Sequence, residues 1–253
     1  MKIAVCIKQV PTREGQPRLN ESRTWVREQD ASFEMNEPDQ YAVEAGLRLR
    51  EQHGGEVVVC SAGPARVAQV IREALARGAD RAIHVEDDRL AEADAAVVAE
   101  ALAPPMREEQ FDLVLTGLQS DDQGFAQTGV ILAERLGMPH ATIVMEVQVA
   151  DGRLRVKREL EGGWYQWVGM PLPALLTIQS GINQVRYATL KGIMAAKKKE
   201  IRKVAAPAAF AARQRIISLY LPEKTKRTEM ISGTPAETAR ELIRRLREDA
   251  RVL

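Results

Sequence analysis

The sequence predicts an α/β fold: a parallel sheet with helices on both faces, an antiparallel extension and a C-terminal arm. Three observations carry this expectation. Short runs at 2–7, 56–60, 81–85 and 111–116 are mostly apolar without a polar alternation, as strands buried on both faces are. Segments with helical apolar spacing separate them, and strand–helix alternation with helix-length connections implies a parallel sheet covered on both sides. After residue 140 strand-like segments follow one another directly, two of them joined at Asp151-Gly152, which is a hairpin signal.

The elements follow in order. Residues 2–7 form the first strand, and the polar stretch 8–34, with Pro11, Gly15 and Pro17, reads as a long loop with room for a small hairpin. Asn36-Glu-Pro-Asp39 starts a helix with Asp39 as a plausible N-cap. Tyr41, Ala42, Ala45, Leu47 and Leu49 populate that helix, and His53-Gly-Gly55 stops it. After the strand at 56–60, Ser61-Ala-Gly-Pro64 is a tight turn, and Pro64 suits the first turn of the next helix. Val67, Val70, Ile71, Ala74 and Leu75 make the buried stripe of that helix, which ends at Gly78-Ala-Asp80. A third strand at 81–85 precedes an alanine-rich helix over 90–103, expected to stop before Pro104-Pro105. The strand at 111–116 leads through a polar loop to a helix at 130–136. Strands are then expected at 141–150, 153–159, 162–168 and 172–178.

From Thr189 a helix is expected through Leu190, Ile193, Met194 and Ile201, carrying Lys197, Lys198 and Lys199. Residues 203–228 lack clear periodicity. Thr234 followed three residues on by Glu237 has capping-box character, and the helix from 235 to 249 closes the sequence. An extended tail ending in a helix is poorly placed to fold on itself, so it reads as an arm that packs on a partner. The expected division is therefore an α/β domain over 1–200 and the arm over 201–253.

Bulk composition excludes several classes. The 253 residues can bury a sizeable core. With 36 basic against 35 acidic residues, the sequence lacks the basic excess of a nucleic-acid binder. Cys6 and Cys60 each sit in an apolar run and read as small buried hydrophobes. No CxxC occurs and His53, His84 and His140 are scattered, so no metal cluster is expected. The apolar run after Met1-Lys2 is too short for a signal core or a membrane span, which gives a soluble, cytoplasmic protein without membrane insertion as the expectation.

The stretch Gly117 to Gly129 carries the functional signal. It lies between the strand at 111–116 and the helix at 130–136. A glycine-bearing turn running into a helix N-terminus aims unpaired N–H groups and the positive end of the helix dipole at an anion. Gly124 and Gly129 permit close backbone approach, and Gln127 and Thr128 add side-chain donors. A plain βα connection would also be polar. This loop is longer than most and gathers Asp121, Asp122, Gln123, Gln127 and Thr128, which favours nucleotide binding. Neither the P-loop pattern nor G-x-G-x-x-G after the first strand is present. Two other loops also end strands where ligands bind in such sheets, after Ile7 and at Ser61-Ala-Gly-Pro64.

Together these residues resemble the β subunits of electron transfer flavoproteins, over nearly the whole sequence. The opening Met1-Lys-Ile-Ala-Val-Cys-Ile-Lys-Gln-Val-Pro11 is similar to that family's first strand. Met35-Asn-Glu-Pro-Asp-Gln-Tyr-Ala-Val-Glu44 resembles its Asn-Pro helix start, and Ala74-Leu-Ala-Arg-Gly-Ala-Asp-Arg81 its Ala-Leu-Ala-x-Gly-Ala-Asp segment. Gly117–Gly129 falls on its nucleotide loop. Arg186-Tyr-Ala-Thr-Leu-Lys-Gly-Ile-Met-Ala-Ala-Lys-Lys-Lys199 resembles its most specific signature.

The resemblance implies a heterodimer in which an α subunit holds most of a redox-active FAD, while the β subunit binds AMP structurally and presents a docking surface. It implies electrons arriving from acyl-CoA or other dehydrogenases, as in fatty acid oxidation, and leaving to a quinone oxidoreductase or another acceptor. No bond-making chemistry is implied for the β chain, and no nucleophile, base and orienter set stands in this sequence. Carried over residue by residue, the cofactor site comprises Cys6, Asn36, Asp39 and Ala62, with Gly117, Gln119, Asp122, Gly124, Phe125, Ala126, Gln127, Thr128 and Gly129 of the loop. Loop N–H groups and Thr128 would hold the phosphate, Cys6 and Ala62 would face the adenine, and Asp122 would reach polar atoms or order the loop. Leu190, with Ile193 and Met194, would anchor in a dehydrogenase. Lys197, Lys198 and Lys199 would steer an acidic partner, although three lysines also suit a solvated helix face.

The loop departs from the family's AMP-binding pattern, roughly Asp-Asp-Asp-x-Asn-Gln-Thr-Gly. Here it reads Asp122-Gln-Gly-Phe-Ala-Gln-Thr-Gly129. Members that bind a second FAD and bifurcate electrons tend to show Ala-Gln-Val-Gly; this sequence combines their alanine, Ala126, with the AMP group's threonine, Thr128. Asn183-Gln-Val-Arg-Tyr187 stands for the family's Asn-Glu-Pro-Arg-Tyr. AMP is the leading expectation. The alternatives are a second FAD with NADH oxidation, or an adenine-nucleotide-binding regulatory domain outside the family.

Overall fold

The computed structural model describes residues 1–12, 18–222 and 228–253. They form two compact units, Met1–Leu219 and Tyr220–Leu253. In the first, β1 (Lys2–Cys6) is followed by β2 (Gln9–Pro11), β3 (Phe33–Met35), α1 (Glu37–His53), β4 (Glu56–Gly63), α2 (Ala68–Arg77) and β5 (Arg81–Glu86). Then come α3 (Ala95–Glu109), β6 (Leu113–Gly117), α4 (Thr128–Leu136), β7 (His140–Ala150), β8 (Arg153–Glu159), β9 (Tyr165–Pro171), β10 (Ala174–Ile178), α5 (Leu190–Ala196) and β11 (Ile201–Ala205). The second unit holds α6 (Pro235–Glu248).

The main sheet has nine strands in the order β11-β5-β4-β1-β6-β10-β7-β8-β9. Every pair from β11 to β7 is parallel, and β8 and β9 add an antiparallel meander. Alternate residues of the central strands feed two cores. Ile3, Val5, Val57 and Val59 pack with Leu47 of α1 and Ile71 of α2. Ala4, Val58, Cys60 and Val114 pack with Leu102 of α3 and Leu132 of α4. Helices therefore cover both faces, as the continuous apolar strands require.

The polar stretch after β1 contains the expected hairpin in the form of β2 paired antiparallel with β3; Gly15 and Pro17 lie outside the described residues. The N-cap position of α1 is Asn36 rather than Asp39, because the Asp39 side chain is turned into a separate network of backbone donors. Pro104 and Pro105 do not end α3, which runs on to Glu109. Each proline costs a helical hydrogen bond, but Ala101, Leu102, Ala103, Pro105 and Met106 are all buried on this stretch, and that packing outweighs the loss. The helix expected to reach Ile201 stops at Ala196. Ile201–Ala205 instead pairs in register with Ala82–Glu86 of β5. The first unit thus extends beyond the 200/201 boundary expected from sequence, since β11 completes the sheet edge.

Among the described residues, no helix is long and apolar enough to cross a membrane. None of their His, Cys, Asp and Glu side chains gather in a group that could hold a metal ion.

Candidate functional site

A cleft partly open to solvent lies at the C-terminal ends of β1, β4 and β6. In the parallel part of the sheet, β1 connects onward to β4 on one side and has β6 on the other. Such a reversal of strand order opens a crevice outside the carboxyl ends of the strands.

Cys6 and Ala62 line the cleft from β1 and β4, and Asn36 and Asp39 from the start of α1. Gly117, Gln119, Phe125, Ala126, Gln127, Thr128 and Gly129 line it from the loop. Asp122 and Gly124 are not part of the lining. Asp122 instead accepts from Lys8 Nζ at 2.7 Å, and Lys8 also reaches Gln123 Oε1 at 3.1 Å. Asp122 thereby ties the loop to Lys8, just beyond β1. Gly124, at φ +66°, allows the turn that returns the chain to α4.

Asn36 ties α1 to the loop. Its Nδ2 donates to Gln119 O and its Oδ1 accepts from Asp121 N–H, both at 2.9 Å. Asp39 ties α1 to the segment after β1 and to the end of β6. Its Oδ2 accepts from Lys8 N–H at 2.7 Å and its Oδ1 from Gly117 N–H at 2.9 Å. Burial pushes the Asp39 carboxyl up to about 7, with these donors and the Lys8 charge opposing the shift. Only glycine fits at 117, because a Cβ there would collide with Asp39 Oδ1 and lie 2.8 Å from Pro38 Cβ.

The N-terminus of α4 opens on the cleft with no side-chain cap on its first N–H groups. Gly129 lets that end press against the sheet, since a Cβ would lie 2.6 Å from Thr116 Oγ1 and 2.8 Å from Thr177 Cγ2. Uncapped N–H groups, a positive dipole end and the adjacent Thr128 hydroxyl can together hold an anion. Cys6 is buried in the apolar core beside this seat, and desolvation holds its thiol well above the ordinary value. It offers a neutral wall rather than a nucleophile.

Sequence reasoning did not place Lys8, Arg66 or Leu90 in the cleft, yet all three line it. Lys8 carried a usable signal, because it lies two residues beyond β1, whose C-terminal end faces the site. Arg66 joins through tertiary contacts, with Gln9 Oε1 at 2.6 Å and its guanidinium 4.0 Å from the Phe33 ring centre.

The second group of expected residues lies on α5. Leu190, Ile193 and Met194 are exposed there, and Lys197 and Lys198 point to solvent just beyond it. Lys199 differs from the expectation of a steering charge. Its Nζ donates to Leu75 O and Ala79 O at the end of α2, and burial lowers its pKa.

Residues 24–209 match the family described as Electron transfer flavoprotein domain. The sequence is also 39% identical to the electron transfer flavoprotein subunit beta of Methylophilus methylotrophus, over 98% of each chain. The chain belongs to the electron transfer flavoprotein β-subunit family. Similarity to other members of the family spans comparable lengths. The Bacillus subtilis subunit is 33% identical over 90% of this chain and 91% of its own. The Homo sapiens subunit is 35% identical over 100% of this chain and 99% of its own.

Proposed function

We propose that this chain is the β subunit of a heterodimeric electron carrier, that it binds AMP in the cleft, and that it docks an electron-donating dehydrogenase through α5. The observation that carries the nucleotide reading is the uncapped N-terminus of α4 meeting Thr128 and Gly129 at the cleft wall. The donor set fits a phosphate monoester: one helix N-terminus and one hydroxyl. Cys6 and Ala62 supply apolar surface for a base, and Asn36 and Asp39 hold the surrounding backbone in place.

In this reading FAD is held mainly by an α subunit and supplies the electron-transfer chemistry when bound. This chain contributes binding and orientation and is not itself an enzyme. Family membership supports pairing with an α subunit, dehydrogenases such as acyl-CoA dehydrogenases as donors, and a quinone oxidoreductase or similar acceptor. A cytoplasmic setting belongs to the same reading. The exposed apolar side chains of α5 beside Lys197 and Lys198 support docking, because an apolar anchor with a charged rim combines affinity with fast association.

A second reading is favoured by one feature. Ala126 lines the cleft where AMP-binding members carry asparagine, which suits a β subunit that binds a second FAD, oxidises NADH and bifurcates electrons.

The docking assignment is tested in the assembled α–β complex. Leu190→Ala is expected to slow reduction of the flavin by an acyl-CoA dehydrogenase about tenfold or more, as loss of a central anchor does, with bound nucleotide unchanged. Unaltered rates would remove the assignment.

A further inference from the structure

Helix α5 is seven residues long, too short to hold its shape alone. Yet it exposes Leu190 to 84% and Met194 to 63%, with Tyr187 just upstream at 93%. Something outside the helix must keep this apolar surface ordered.

Contacts on three sides do so. Upstream, the Arg186 guanidinium grips Glu44, with Nε donating to Oε2 at 2.7 Å and Nη2 to Oε1 at 3.1 Å. In the middle, Gly192 brings α5 against the backbone of α2 so closely that a Cβ would collide with Ala76 O. Downstream, two cations cross. Arg72 of α2 donates to Ala196 O at 2.5 Å and to Lys199 O at 2.8 Å, at the end of α5. Lys199 donates to Leu75 O at 3.0 Å and Ala79 O at 2.5 Å, at the end of α2. Arg72 thus adds a cation to the carbonyls at and just beyond the end of α5, and Lys199, three residues past α5, adds one to those at and just beyond the end of α2, where the negative dipole end favours a cation.

We propose that Arg72 and Lys199 are positioning residues for electron-donor docking: a reciprocal pair of caps that fixes α5, so that Leu190 and Met194 meet the partner as a preformed anchor. The inference rests on the docking role of α5 proposed above. A preformed anchor avoids the entropy of ordering a helix and its side chains on association. The division of labour among the three lysines follows: Lys197 and Lys198 remain free for the charged rim, while Lys199 is committed to the fold.

The test uses the α–β complex and an acyl-CoA dehydrogenase that reduces the wild-type complex. Lys199→Met keeps the aliphatic stem and removes the donor, so it is the deciding variant; Arg72→Ala removes the other cap, and Lys199→Arg restores a cation. For the two deleting variants, KM for the complex is expected to rise about tenfold, the factor given by roughly 1.4 kcal/mol of lost pre-organisation. The kcat and bound nucleotides should hold, amide exchange over 190–196 should quicken, and Lys199→Arg should recover most of the loss. Faster exchange with unchanged KM would overturn the inference, because the caps would then serve the fold alone. Leu190→Ala, run alongside, separates the two claims. If it raises KM while the cap variants do not, the positioning role fails and docking through α5 stands. If Leu190→Ala leaves KM unchanged, docking through α5 fails and the positioning role with it.

Discussion

Asp39 shows how one side chain joins the fold to the site. Its two oxygens accept from backbone donors on either side of the cleft, Lys8 N–H and Gly117 N–H. Asn at this position offers only one accepting oxygen, so Asp39→Asn is expected to cost about 1–3 kcal/mol by leaving a buried N–H unpaired. The pH dependence has a definite sign. The folded-state pKa, about 7, lies above the unfolded value near 4. The folded protein therefore binds the proton more tightly, and the contribution of Asp39 is present below about pH 4 and lost as pH rises through 7. The gap in thermal stability between wild type and Asp39→Asn should narrow from about pH 4.5 to about pH 7.5, by on the order of 1–3 kcal/mol; a gap that widens would contradict the burial argument. The sequence led to Asp39 through its place at a helix start, but with the wrong local role. A cap is read from neighbours in sequence, whereas the partners of Asp39 come from the segment just after β1 and from the end of β6. Lys199 was misread for a similar reason: three consecutive lysines look alike until α2 is placed beside one of them.

At the scale of elements, α4 is set by the glycine in its first turn, Gly129. Gly129→Ala would drive a methyl group into Thr116 and Thr177. The expected result is a loss of about 1–3 kcal/mol, typical of overpacking, together with reduced nucleotide retention as the N–H groups shift; wild-type retention would show that this helix end does not hold the ligand. The βα repeats were legible because their signals are local: apolar runs, helical stripes, and Gly54 and Gly78 as stops. The elements that escaped depend on neighbours far along the chain. Ile201–Ala205 alternates too weakly to declare a strand, and it becomes one by pairing with β5. Pro104 and Pro105 argue for a helix stop, and only the buried face of α3 overrides them. The capping box of α6 was readable from Thr234 and Glu237 alone, and Thr234 N–H does donate to Glu237 Oε2 at 2.8 Å.

For the whole molecule, the two units differ in what they can do unaided. Met1–Leu219 buries two cores around its sheet. Tyr220–Leu253 contains α6, in which no residue is buried, and it exposes Leu242, Ile243 and Met230. Exposed apolar surface of this kind is consistent with the proposal of an arm that packs on an α subunit. The cleft was legible from one loop, but its composition leaves a choice between ligands: Thr128 argues for AMP and Ala126 for a second FAD. The most direct measurement is to purify this chain with its α subunit, release the bound nucleotides and count them by mass spectrometry. The account predicts one FAD and one AMP per heterodimer; two FAD and no AMP would contradict it and make electron bifurcation the function of the complex.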